Sequence, residues 1–180
     1  MREILEPLFG NCKYQASCIC NTKDSFEFVN NKIFYVFDEG EDSQTPVKIV
    51  NENDEYQLTV SNDKQQIITL IKTDKCLIEN NLSKCDCIIS SAETVFFIEI
   101  KSCGAGTRNI RRRKAVSQLS STLTYIKSKG TDLSKLKIVA LICLKSSEPR
   151  ITQASKKTAA VAFKETFGAY LEEGNSISFD

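Results

Sequence analysis

The chain has 180 residues, 41% of them hydrophobic and 26% charged, which suits one domain with a packed core. It contains no histidine, so Ser-His-Asp and Cys-His catalysis, imidazole metal sites and histidine-based nucleases are excluded. The net charge of +1 hides a polarised chain: residues 1–100 sum to −8, residues 101–160 to +12 and residues 161–180 to −3.

The N-terminus, Met1 to Pro7, is acidic and lacks a long apolar run, so no secretory signal is expected. The longest unbroken apolar stretch, Ile138 to Leu144, has seven residues, far short of the roughly 20 that a membrane helix needs. A cytoplasmic protein with no membrane partner is expected, and its eight cysteines are expected as free thiols. Cys76, Cys87 and Cys143 sit inside apolar runs, where cysteine serves as a small apolar residue. Cys12, Cys18, Cys20, Cys85 and Cys87 lack the paired spacing of a zinc ribbon. A split site from Cys18, Cys20, Cys85 and Cys87 is the alternative.

In chain order, residues 2–9 suggest a short helix that Pro7 disfavours at its far end. Phe26–Val29 and Ile33–Phe37 around Asn30-Asn31-Lys32 suggest a hairpin. Asp38 to Pro46 is an acidic loop. Tyr56–Val60 and Gln66–Ile71 suggest a second hairpin, with a short helix over Lys64–Lys72 as the alternative. Cys76–Glu79, Cys85–Ser90 and Thr94–Ser102 read as three further strands. From about Arg113 the period changes: Val116, Leu119, Leu123 and Ile126 are spaced 3, 4 and 3, one face of a helix that Gly130 ends. Ile138–Leu144 is a buried strand, residues 153–171 a second helix, and Ser176–Phe179 a last strand. Strands followed by alternating helices and strands on one sheet mean an α/β or α+β fold. Residues 1–72 form a β-rich elaboration and residues 73–180 the core, packed as one compact unit.

The chemistry gathers at residues 86–118. In the strand Val95–Lys101, Glu99 and Lys101 share a face with Val95 and Phe97, while Phe96, Ile98 and Ile100 take the other. Charges on so apolar a strand call for a partner or a metal; a salt-bridged pair at a fraying end is the plainer reading. A tight turn at 91–93 would bring Asp86 opposite the same strand end. Two converging carboxylates suit Mg²⁺ or Mn²⁺, and a lysine beside them can serve an attacking water or a phosphorane-like transition state.

Asp86, twelve residues, Glu99, one residue and Lys101 resembles the signature of the PD-(D/E)XK nuclease superfamily. Cys85 stands where that pattern has proline. Gln118 on the following helix is similar to a feature of the RecB-like and resolvase-like branches. Thr122 interrupts their Gln-x3-Tyr motif, and Tyr125 comes seven residues after Gln118. The resemblance covers about residues 76–145. It implies a restriction-endonuclease-like central mixed sheet flanked by helices, with a core of helix, three strands, helix and strand. It further implies Mg²⁺ or Mn²⁺ held by Asp86 and Glu99, Lys101 serving the water and transition state, and Gln118 positioning water or lysine. A glutamate from the first core helix would be Glu3 or Glu6, with Glu79 a third candidate.

Arg108, Arg111, Arg112, Arg113 and Lys114 follow the loop Cys103–Ile110 and would hold phosphates beside the scissile bond, extended by Lys156 and Lys157. A solvated loop that caps the helix start is the alternative. The expected function is a metal-dependent nuclease acting on DNA, as a homodimer or in a larger complex. Two other readings remain: an inactive nuclease-like module that only holds nucleic acid, and a protein-interaction role of the inhibitor or immunity type for the acidic stretch Asp38–Asp42.

Overall fold

A computed structural model describes residues 25–40, 42–78, 82–102, 106–145 and 154–180. The helix expected at 2–9, Glu3, Glu6, Glu79, Cys12, Cys18, Cys20 and Cys103 lie outside the described residues.

The fold is α+β, built on two mixed β-sheets. Its strands are β1 Phe26–Val29, β2 Ile33–Phe37, β3 Lys48–Val50, β4 Leu58–Ser61, β5 Ile68–Lys72, β6 Cys87–Ser90, β7 Thr94–Ser102, β8 Lys137–Lys145, β9 Tyr170–Glu173 and β10 Ser176–Ser178. The helices are α1 Arg108–Ser128 and α2 Ala154–Phe167, with a π-turn at Thr73–Leu77. The large sheet runs β1-β5-β6-β7-β8-β9 and the small one β10-β4-β2-β3. From β5 to β7 neighbours are antiparallel; β7, β8 and β9 are parallel, as a helix crossover between β7 and β8 requires. No described helix is long and apolar enough to cross a membrane.

Three layers result. One apolar cluster lies between the sheets, where Phe34, Val36, Leu58 and Val60 meet Ile89, Phe96, Ile98, Leu141 and Cys143. The other lies between the large sheet and the helices, where Ala115, Leu119, Leu123, Ile126 and Phe163 meet Ile88, Val95, Phe97, Ala140 and Ile142. The large sheet is covered on both faces, so β7 and β8 read as near-continuous apolar runs. The alternation expected for β7 holds: Val95 and Phe97 face the helices, Phe96, Ile98 and Ile100 face the small sheet.

Neither expected hairpin forms. β1 pairs with β5, while β2 pairs with β3 and β4, so each pair of consecutive strands splits between the sheets. The turn-like residues make a corner instead. Buried Asn62 donates through Nδ2 to Asn31 O (3.3 Å) and Gln66 O (2.9 Å), and its Oδ1 accepts from Gln66 N–H (3.1 Å). One side chain thereby satisfies both crossovers, a task that Asn performs as readily as a turn. Over Lys64–Lys72 the strand prevails, since all five residues of β5 are buried.

Three further expectations change. The strand expected at Cys76–Glu79 is the π-turn, with Lys75 at φ +58°. The helix starts at Arg108, five residues before the expected Arg113. Its first turns carry cations in place of apolar residues, so periodicity does not mark them. The second helix stops at Phe167: Gly168, at φ +69°, donates to Lys164 O and Ala169 N–H to Phe163 O, and β9 follows. β1 and β5, from before residue 72, belong to the large sheet, and C-terminal β10 to the small one. The seam in the molecule therefore runs between the sheets, with residues from both sides of position 72 in each. Cys85, Cys87 and Cys143 are free and buried, whereas Cys76 is disulfide-bonded, so the free-thiol expectation does not extend to it.

Candidate active site

Cys87 of β6 pairs with Ile98 of β7, and Asp86 N–H adds a rung to Ile98 O at 3.1 Å. Asp86 therefore stands opposite Glu99. Its Oδ2 accepts from Ile100 N–H at 2.6 Å, a charge-assisted bond that fixes the carboxylate over β7. Its carbonyl accepts from Thr73 and Asp74 N–H at 3.2 and 3.3 Å, so the π-turn grips it from the other side. Lys101 Nζ lies 2.5 Å from Glu99 Oε1. The structure thus brings Asp86, Glu99 and Lys101 to one place, on the helix-facing side of the large sheet. All three are buried, Glu99 completely.

Of the two Glu99 oxygens, Oε1 is held by the Lys101 ammonium and Oε2 has no hydrogen-bond partner. A buried carboxylate with one oxygen unpartnered is costly for a fold to hold. Burial, then the neighbouring Asp86, pushes Glu99 well above the carboxylate range, against the pull of Lys101. Burial, then Asp38, pushes Asp86 up to about 7, with Lys101 and Ile100 N–H opposing. Two carboxylates thus face each other in a site that favours a proton or a cation.

Gln118 of α1 does not reach the trio through its amide nitrogen: Nε2 donates to Lys84 O at 3.0 Å, and Oε1 is buried without a partner. It braces the segment entering β6. One turn on, buried Thr122 accepts from Cys85 N–H at 2.8 Å and donates to Gln118 O at 2.9 Å. Thr122→Val is therefore expected to destabilise the fold by about 1–3 kcal/mol, because it orphans a buried N–H; urea denaturation measures it. Burial, then Glu99, pushes the Cys85 thiol up to about 12, so Cys85 is no nucleophile.

The five cations expected in a loop lie on α1. Arg108 Nη2 donates to Glu173 Oε1 at 2.6 Å, and Arg112 Nε sits 3.4 Å from Glu173 Oε2. These two, one turn apart, are paired with β9, sixty-five and sixty-one residues on. Arg111 and Lys114 fall, by helical spacing, on the stripe of Gln118 and Thr122 above the start of β6. Arg113 is exposed. The side chains of Lys156 and Lys157 lie outside the description.

Sequence reading missed four neighbours of the trio: Asp38, Asp74, Lys75 and Lys84. Lys84 Nζ pairs with Asp74 Oδ1 at 3.2 Å, and Lys75 Nζ lies 4.0 Å from Asp38 Oδ1. Their only sequence signal is alternation of acid and base, common on any surface. Of the split cysteine site, Cys85 joins the helix-side core and Cys87 the inter-sheet core, and Cys18 and Cys20 lie outside the described residues.

No described group of three or more His, Cys, Asp or Glu side chains is arranged to hold a metal. Two neighbouring carboxylates, one with an unpartnered oxygen, still fit a hard divalent cation such as Mg²⁺, which takes one or two protein carboxylates and keeps several waters. The chain matches no protein-family model, no curated protein and no solved structure.

Proposed function

We propose that the chain is a metal-dependent nuclease that hydrolyses phosphodiester bonds in DNA, built on a restriction-endonuclease-like core. The observation that carries this reading is the convergence of Asp86, Glu99 and Lys101 at one buried point, with Glu99 Oε2 lacking a hydrogen bond. The core's topology supports it. β5, β6 and β7 are antiparallel neighbours, α1 crosses over, and β8 returns parallel to β7, the order of three strands, helix and strand that the sequence resemblance implies. Residues 2–9, where the first helix of that core is expected, lie outside the described residues.

In this reading Asp86 and Glu99 hold the cation, with Asp86 locked by Ile100 N–H. A divalent cation bound there would lower the pKa of a water and neutralise charge on a phosphate oxygen. Lys101, fixed beside Glu99, donates to the attacking water or to the phosphate oxygen as negative charge develops. The water oxygen attacks phosphorus, its proton passes to solvent, and the bond to the leaving sugar oxygen breaks. One product ends in a phosphate, and the other in a hydroxyl that has taken up a proton. Gln118 is a positioning residue that holds Lys84 and, through it, the approach to Asp86. Arg111, Arg113 and Lys114 would supply sequence-independent phosphate contacts, and Arg108 and Arg112 stand against Glu173.

The test is cleavage of supercoiled, linear and single-stranded DNA, and of RNA, with Mg²⁺, Mn²⁺ or EDTA. Cutting of DNA that needs the metal and vanishes in Glu99→Ala and Lys101→Ala is the expected result. Salt-sensitive binding that survives both substitutions without cutting would leave only the binding-module reading.

A further inference from the structure

Asp38 sits directly after β2, in the small sheet, yet its side chain belongs to the large sheet's site. Buried Gln57 clamps its backbone twice: Oε1 accepts from Asp38 N–H at 2.9 Å, and Nε2 donates to Asp38 O at 2.8 Å. That pair of bonds gives the side chain one direction. Asp38 is 9% exposed, unlike an ordinary acidic loop residue.

Lys75 connects it to the trio. Its Nζ donates to Gly40 O at 2.8 Å and lies 4.0 Å from Asp38 Oδ1. Its backbone is left-handed, at φ +58°, a conformation that lysine rarely adopts. Thr73 and Asp74, the residues just before it, donate the two N–H groups that grip Asp86 O. A half-buried lysine therefore ties the small sheet's loop to the turn that positions Asp86. Asp38 is also the largest charge effect on Asp86 after burial, and Lys101 acts on Asp38 in turn.

A count of charges points the same way. Asp38, Asp74, Asp86 and Glu99 face Lys75, Lys84 and Lys101. Among the described residues the carboxylates of this cluster exceed the lysines by one, and Oε2 of Glu99, the most buried of them, has no hydrogen-bond partner. Both features are what a divalent cation resolves.

We propose that Asp38 is a positioning carboxylate of this site, delivered by the small sheet and braced by Lys75, which strengthens cation binding at Asp86 and Glu99 without being a ligand. The inference rests on the nuclease reading. It makes the small sheet a working part of the site. Its role fits a residue outside the coordination shell, since no three described acidic groups form a ligand set, and such partners commonly change metal affinity by about 10–100-fold.

Mn²⁺ binding to the full chain, followed without nucleic acid by the loss of the free-ion paramagnetic resonance signal, tests it. Asp38→Asn is expected to weaken Mn²⁺ binding by about tenfold or more with an unchanged melting midpoint. Asp38→Glu, which keeps the charge, is expected to restore most of the affinity. Asp42→Asn, on the exposed part of the same loop, is expected to match the unaltered chain. Equal affinity in Asp38→Asn and Asp42→Asn would overturn the proposal and leave the nuclease reading standing. Mn²⁺ bound by none of the proteins would overturn both. If Asp38→Asn does not fold, Lys75→Met removes the brace, and unchanged affinity there overturns the proposal as well.

Discussion

Glu99→Gln is expected to abolish cutting and, in EDTA, to raise the melting temperature. The first effect follows from position: Glu99 is the one completely buried group of the trio and offers Oε2, which has no hydrogen-bond partner, to the proposed cation. Losing it should cost at least about 10²–10³-fold in rate, the scale of removing one electrostatic contact to a developing charge. The second effect follows from the same burial. Glutamine keeps the shape and removes a carboxylate that the metal-free site disfavours. The opposing term is Lys101, which loses its 2.5 Å partner. Lys101 still faces Asp86 and Asp38, both within its electrostatic reach, so it is not left as a bare buried cation. Relief should therefore win, by about 1 kcal/mol, or about 2–4 °C for a domain of this size. Full activity in Glu99→Gln would refute the site. A lowered melting temperature would instead mean that the Glu99–Lys101 pair is a net stabiliser, as a purely structural salt bridge is.

How the site came to be readable depends on distance along the chain. Asp86, Glu99 and Lys101 sit on consecutive antiparallel strands joined by a short turn, so alternation and a count of residues suffice to bring them together. β8 and the interior of α1 were legible because a seven-residue apolar run suits a buried strand and a 3.6 period suits one face of a helix. What stayed hidden depends on partners far away. Asn30-Asn31 and Ser61-Asn62 carry turn chemistry, and nothing local distinguishes a hairpin from a corner closed by Asn62 across 31 residues. Arg108 and Arg112 look like free cations until β9 places Glu173 against them. β9 was itself hidden, because a helix that ends at Gly168 and one that runs to 171 differ by a single left-handed glycine. Asp38 reads as one acid among several, and only the Gln57 clamp and the left-handed Lys75 separate it from its exposed neighbours.

Acid should stabilise the metal-free protein, the reverse of the usual carboxylate behaviour. Asp86 is raised to about 7 by burial, then Asp38, so the folded chain holds a proton that the unfolded chain has lost above its ordinary value of 3.8. That stability is fully present below about pH 4, declines as pH rises, and is gone above about 7. Three units at 1.36 kcal/mol each set an upper scale of roughly 4 kcal/mol, and Glu99 and Asp38, both raised, act with the same sign. The window is unusually clear, because the chain has no histidine and Glu39, drawn down to about 2 by Lys48, titrates below it. Melting temperatures in EDTA should accordingly fall between pH 4.5 and 7.5, and Asp86→Asn should flatten the slope. With Mg²⁺ or Mn²⁺ present the dependence should turn over. The cation competes with the same proton, so its binding strengthens as pH rises and the stability it confers rises with it. A metal-free protein whose stability climbs through this window would mean that Asp86 is already ionised and paired. In that case the cluster is a set of satisfied salt bridges and has no need of a cation.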